Sequence, residues 1–226
     1  RTMTPYIGGL AEVFKDHLPS GAINTPFPEK IQLLKTDADE AETKVVNEAG
    51  YMRAVGMILW AVRHVFTEGK YGVSQLCSVM SSGSNKSFKA AMHMIAYMLQ
   101  RSKRGIRFNA DGNTIPFGMF DASNKAHPEN GCSHAGYCIM WMGGPISSWG
   151  KRLRHVGLSS EHNEYMAMAA MTKSLIWLRQ LLNECGFAEL IEKPTLMFGD
   201  NVNANKLCKE HFVSTGNQYI YLSLIH

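Results

Sequence analysis

From residue 43 to residue 66 the apolar positions Val45, Met52, Val55, Leu59, Val62 and Phe66 recur at spacings of seven, three and four. That spacing predicts one amphipathic helix running through Gly50 and Gly56. Two further helical patterns cover about 70–80 and 84–101, the second with Phe88, Met92, Ile95 and Leu99 on one face. Gly69 and the Ser81-Ser82-Gly83-Ser84 run punctuate them. The methionines in this three-helix unit read as core filler. Upstream, residues 1–43 show little periodicity and carry Pro19, Pro26 and Pro28. They read as an extended lead-in with a short helix near 10–17. The acidic run from Asp37 to Glu42 suits the start of the helix that follows, because carboxylates favour helix N-termini.

Near residue 105 the period changes from helical to alternating. Asp111-Gly112-Asn113 is a turn signal, and strands are expected over 116–121, 135–142 and 146–151. A Gly/Pro/Asn/His-rich loop separates the first two, and Gly143-Gly144-Pro145 turns between the second and third. A further short strand is expected over 152–157. A long helix, a strand over 194–199 and a helix over 202–210 complete a β-β-β-α-β-α order. The expected fold is α/β, a mixed sheet with helices, in which the last strand lies beside the first. The expected division is therefore 1–43, 44–105 and 106–226.

Three acids stand at the tips of three of these elements. Asp121 and Asp200 each end a short apolar run, which reads as a buried strand delivering a carboxylate at its C-terminal end. Glu164 opens the long helix, one turn ahead of the stripe Met168, Met171, Leu175, Leu178 and Leu182, so it points at the sheet. A capping-box role would need Ser or Thr at position 161, which is Glu. Carboxylates that converge in this way repel one another unless a divalent cation neutralises them. Oxygen-only ligands favour Mg²⁺ or Mn²⁺ over zinc, and paired ions suit phosphodiester hydrolysis.

With 45% hydrophobic and 19% charged residues, the chain has the composition of a folded globular protein. The longest apolar run, 54–62, falls short of the about 20 residues a membrane span needs, so no membrane association is expected. No signal peptide is visible, and a chain beginning with Arg1 reads as a piece of something longer. The net charge of +4 resides entirely in the first 115 residues. A neutral C-terminal half would bind nucleic acid poorly by bulk charge, so any grip there would have to be local. Lys151, Arg152 and Arg154, with His155, form one local cluster; Arg101, Lys103, Arg104 and Arg107 form another. The five cysteines include no Cys-x-x-Cys pair and read as reduced and structural, which fits an intracellular chain. Cys132, His134 and Cys138 form only a weak metal pattern.

The ordered set of Asp121, Gly136-Tyr137, Gly143 to Ser147, Leu158-Ser159-Ser160 with Glu164-Tyr165, Trp177 to Leu182, and Asp200-Asn201 resembles the ribonuclease H domain of Copia-type retrotransposon Pol polyproteins over roughly residues 116–221. The stretch from Gly50 to Trp60, with 71–76 and 90–99, resembles the segment closing the reverse transcriptase. The resemblance implies a ribonuclease H-like domain over 106–226 behind a helical thumb or connection unit over 44–105. It implies that Asp121, Glu164 and Asp200 bind two Mg²⁺ ions, or Mn²⁺, and cut the RNA strand of an RNA–DNA hybrid. The implied partners are that hybrid and the rest of the polyprotein, reverse transcriptase and integrase, in a cytoplasmic particle or the nucleus. The family carries a fourth carboxylate further on, whereas Glu210 is the sole acid after Asp200. The expectation is thus a C-terminally truncated domain, and the alternative is a catalytically inactive relic or connector that binds nucleic acid.

Among the remaining candidates, Asn201 suits orienting Asp200, contacting the substrate backbone, or a turn. Ser123 stands where many relatives carry another acid. Ser147 and Ser148 complete a turn, His162 is a surface residue or a proton shuttle, and Trp141, Trp149 and Trp177 are expected in the core.

Overall fold

A computed structural model describes residues 2–109, 114–123, 127, 129–154, 156–157 and 159–201. The chain divides into two compact units, Arg1–Arg107 and Phe108–His226.

The first unit is all helical: α1 (Thr4–Val13), α2 (Glu40–Glu48), α3 (Tyr51–His64), α4 (Lys70–Ser78) and α5 (Asn85–Gln100). The single helix expected across Gly50 is two helices. Gly50 adopts φ 94°, the left-handed conformation that ends α2, and α3 starts immediately after it. The N-terminal stretch differs from an extended lead-in, because Ile7, Leu10 and Phe14 of α1 and its following turn are buried. Phe27 and Leu33 join them against Tyr51, Ile58, Val62, Leu76 and Ile95. Met92, Met94 and Met98 are buried among them, as filler would be. Ser84 caps α5 through a capping box with Ser87, and the Tyr51 hydroxyl donates to Leu76 O at 3.0 Å.

The second unit is a mixed four-stranded sheet with one long helix. Strands β1 (Phe117–Ala122), β2 (His134–Trp141), β3 (Gly144–Arg152) and β4 (Leu196–Phe198) lie in the order β3-β2-β1-β4. The first three are antiparallel neighbours, and β4 runs parallel to β1. The β2–β3 hairpin turns on Met142 (φ 50°) and Gly143 (φ 79°), one residue earlier than expected. Positive φ at both central positions matches the right-handed twist of the strands and lets Gly144 pair with Trp141. Pro145, Ser147 and Ser148 therefore lie within β3, and 153–154 and 156–157 form no strand.

Helix α6 (Ser160–Glu184) covers one sheet face with the stripe anticipated from its periodicity: Glu164, Met168, Met171, Leu175, Leu178 and Leu182 are all buried. They meet Phe120, Ala122, Ala135 and Ile139. At Gly118 a Cβ would collide with the Met171 sulfur, so the glycine lets α6 approach β1 closely. Tyr137 hydrogen-bonds Ser174 across the interface at 2.6 Å and stacks on Trp149. Trp177, expected in the core, is 61% exposed because it projects from the opposite side of the helix. The helix expected over 202–210 and the turn at 111–113 lie outside the described residues. No described helix is long and apolar enough to cross a membrane.

Candidate metal centre

Parallel pairing of β1 with β4 sets the geometry of the site. Phe117 pairs with Leu196 and Met119 with Phe198, so the same register continued two residues brings Asp121 level with Asp200. Parallel neighbours end at the same edge, and both carboxylates emerge there. Glu164 reaches this edge from the second turn of α6. The helix begins earlier than Glu164, which was expected to open it, because Ser159 is the N-cap and its hydroxyl accepts from His162 N at 3.1 Å.

Each of Asp121, Glu164 and Asp200 offers a carboxylate oxygen, and these oxygens lie within 4.8 Å of one another. Asp121 and Asp200 are exposed, while Glu164 is only 3% exposed. One oxygen of Glu164, Oε1, accepts from Ala122 N at 3.3 Å; the other, Oε2, is buried without a hydrogen-bond partner. Burial raises the Glu164 pKa to about 7; the Ala122 N–H opposes this, and the charges of Asp121 and Asp200 add to it. A buried carboxylate that keeps one unpartnered oxygen and gathers with two others is what a bound cation would satisfy, and the residues present fit one. Among the described residues this is the one cluster of three side chains able to hold a metal ion. Cys132, His134 and Cys138 form no such group, and the described cysteines are free thiols.

Two residues that sequence reasoning did not single out fix the first turns of α6. Asn163 is buried, and its Nδ2 donates to Ser133 Oγ at 3.0 Å. Gly157 lies so close to the Asn163 amide that a Cβ would overlap it. The signal was a polar residue on the buried side of an amphipathic helix, next to Glu164.

The basic candidates lie at the end of β3. Arg152 is half-buried and pairs across the sheet with His134, the first residue of β2, beside the end of β1 that carries Asp121. Lys151 and Arg154 are exposed, and His155 lies outside the described residues. Burial, with the charges of Arg152 and His127, lowers the His134 pKa to about 4, so it stays neutral at physiological pH. Ser123 closes the strand end, donating its N–H to His134 O at 2.8 Å while its hydroxyl accepts from His134 N at 3.2 Å. Asn201 is half-buried and follows Asp200. Cross-strand from Asp121 stand Gly136 and then Gly150, so the sheet surface beside the acid is bare backbone.

Among known proteins the chain is similar to retrotransposon Pol polyproteins and to a secreted effector protein. The chain is 27% identical over 169 residues to the retrovirus-related Pol polyprotein from transposon RE1 of Arabidopsis thaliana, covering 74% of this chain and 11% of that protein. It is 24% identical over 200 residues to the Pol polyprotein from transposon TNT 1-94 of Nicotiana tabacum, covering 88% of this chain and 15% of that protein. It is also 28% identical over 128 residues to secreted RxLR effector protein 161 of Plasmopara viticola, covering 57% of this chain and 90% of that protein. The chain thus spans a small fraction of the Pol polyproteins it resembles. No family model matches it, and no solved structure matches it.

Proposed function

We propose that this chain is a ribonuclease H-like part of a retrotransposon Pol polyprotein and hydrolyses the RNA strand of RNA–DNA hybrids. The observation that carries the reading is the meeting of Asp121, Glu164 and Asp200, from two parallel strand ends and one helix, with oxygens within 4.8 Å. The β-β-β-α-β order behind them and the similarity to Pol polyproteins support it. The three carboxylates hold Mg²⁺ or Mn²⁺, since hard oxygen donors prefer such ions. When bound, a pair of these ions supplies Lewis-acid activation of water and neutralises charge on the phosphate.

The protein contributes placement. Exposed Asp121 and Asp200 open the site to a phosphodiester, and buried Glu164 anchors it from α6. The glycine surface at Gly136 and Gly150 leaves room for a nucleic-acid backbone beside Asp121. Lys151, Arg152 and Arg154 contact phosphates, and Asn201 orients Asp200. Recognition depends on groove shape and 2′-hydroxyls more than on base sequence. The helical unit serves as the thumb or connection that follows the duplex.

The test is cleavage of a labelled hybrid by the full chain with and without Mg²⁺ or Mn²⁺, with Asp200→Asn as control. Metal-dependent cleavage that disappears in the variant is the expected result. Hybrid binding by a folded chain without cleavage would replace this reading with that of a non-catalytic connector.

A further inference from the structure

The Asp200 arm of the site is held by little apolar packing. Strand β4 has three residues, and Leu196, Met197 and Phe198 are 61%, 40% and 52% exposed. It pairs with β1 through Phe117–Met119 alone. Slippage by one residue along β1 would carry Asp200 about 3.3 Å and turn alternate side chains to the other face. A displacement of that size is most of the 4.8 Å within which the three carboxylates gather.

Side-chain hydrogen bonds from α6 fasten the stretch that leads into this strand. Arg179 Nη2 donates to Ile191 O at 2.6 Å, and Nη1 donates to Lys193 O at 3.0 Å and to Thr195 Oγ1 at 2.9 Å. All three acceptors lie in the stretch that leads into β4, and Thr195 immediately precedes the strand. A planar fork with fixed donor directions selects one placement of three acceptors, which a flexible ammonium does not. Glu164 and Arg179 sit on one uninterrupted helix, about 22 Å apart along its axis.

We propose that Arg179 is a positioning residue for Asp200: by fixing the segment before β4 to α6, it makes a single helix set the separation of Asp200 from Glu164. The consequence for metal binding rests on the reading of the three acids given above. Gly199 supports the same placement, because a Cβ there would strike the Phe120 ring.

The test uses the full chain with Arg179→Met, which keeps the apolar stem and removes the fork, and Arg179→Lys. Calorimetric titration with Mn²⁺ and residue-resolved amide exchange are measured on both. Arg179→Met is expected to weaken Mn²⁺ binding about 10–100-fold, the range typical of residues that orient metal ligands. Exchange is expected to quicken at the β4 amides alone, and Arg179→Lys is expected to restore neither property. Affinity within twofold of the parent, or affinity lost together with protection across α6, β1 and β2, would overturn the proposal. If the parent binds no Mn²⁺, or Asp200→Asn binds it as well as the parent, the metal reading fails. Amide exchange then decides the role of Arg179 by itself: unchanged β4 protection in Arg179→Met refutes it, and selective loss upholds it.

Discussion

Glu164→Gln separates the cost of the acid cluster from its use. In the metal-free protein the Glu164 pKa is raised from 4.5 to about 7. The folded state therefore binds this proton more tightly than the unfolded chain does, and stability falls as pH rises from about 4.5 to about 7. Above that window the ionised, buried carboxylate costs about 3 kcal/mol, from 1.36 kcal/mol per pKa unit. Glutamine keeps an oxygen to accept from Ala122 N, and it places an amide where Oε2 has no partner. The metal-free variant should be more stable than the parent by about 3 kcal/mol at pH 8 and nearly equal to it at pH 4.5. The melting temperature should rise by on the order of 10 °C at pH 8. Thermal unfolding of both proteins in a chelator across that pH range reads this directly. A variant less stable than the parent at pH 8, or a difference that does not change with pH, would refute the account of Glu164 as a destabilising charge held for a cation.

The same titration predicts that Mn²⁺ binding tightens with pH, weakening about tenfold for each unit below 7 because Glu164 must lose its proton. Calorimetry in buffers of different ionisation enthalpy should show about one proton released per binding event at pH 6. Gly199→Ala should destabilise the second unit by about 1–3 kcal/mol and weaken metal binding, because its Cβ meets the Phe120 ring; chemical denaturation and Mn²⁺ titration measure the two effects. Ser84→Ala removes the capping box of α5 and should cost about 1 kcal/mol, read as faster amide exchange in the first turn of α5 with Mn²⁺ affinity unchanged.

What was legible in the sequence was periodic. The α6 stripe from Glu164 to Leu182 follows from spacing alone, since a buried helix face must repeat near 3.6 residues. The three long strands end within two residues of where the apolar runs and turn residues place them. Single residues whose backbone state depends on context were not legible. Gly50 could have continued a helix or ended one; it takes a left-handed φ beside the Phe14 ring, a residue far off in sequence that a Cβ at this position would meet. Helix α1 was placed too late, near 10–17 where it spans Thr4–Val13: Gly8 and Gly9 weaken its local signal, and burial of Ile7 and Leu10 against the rest of the unit supplies what propensity does not. Met142 takes positive φ in a turn expected over Gly143-Gly144-Pro145.

The site divides along the same line. Asp121 is the next-to-last residue of β1 and Asp200 stands two residues beyond β4, close to the strand ends their neighbours suggested, but β4 is exposed where a buried strand was expected. That the two strands are parallel and adjacent is a property of the sheet order. Asn163 and Arg179 were less legible still, because each acts through partners on another element: Ser133 for one, and the carbonyls before β4 for the other. A three-residue strand with exposed side chains cannot hold a carboxylate in place by burial, so its position must be borrowed from something rigid. In this fold the rigid element is α6, which carries Glu164 near one end and, near the other, the arginine that fastens the approach to Asp200.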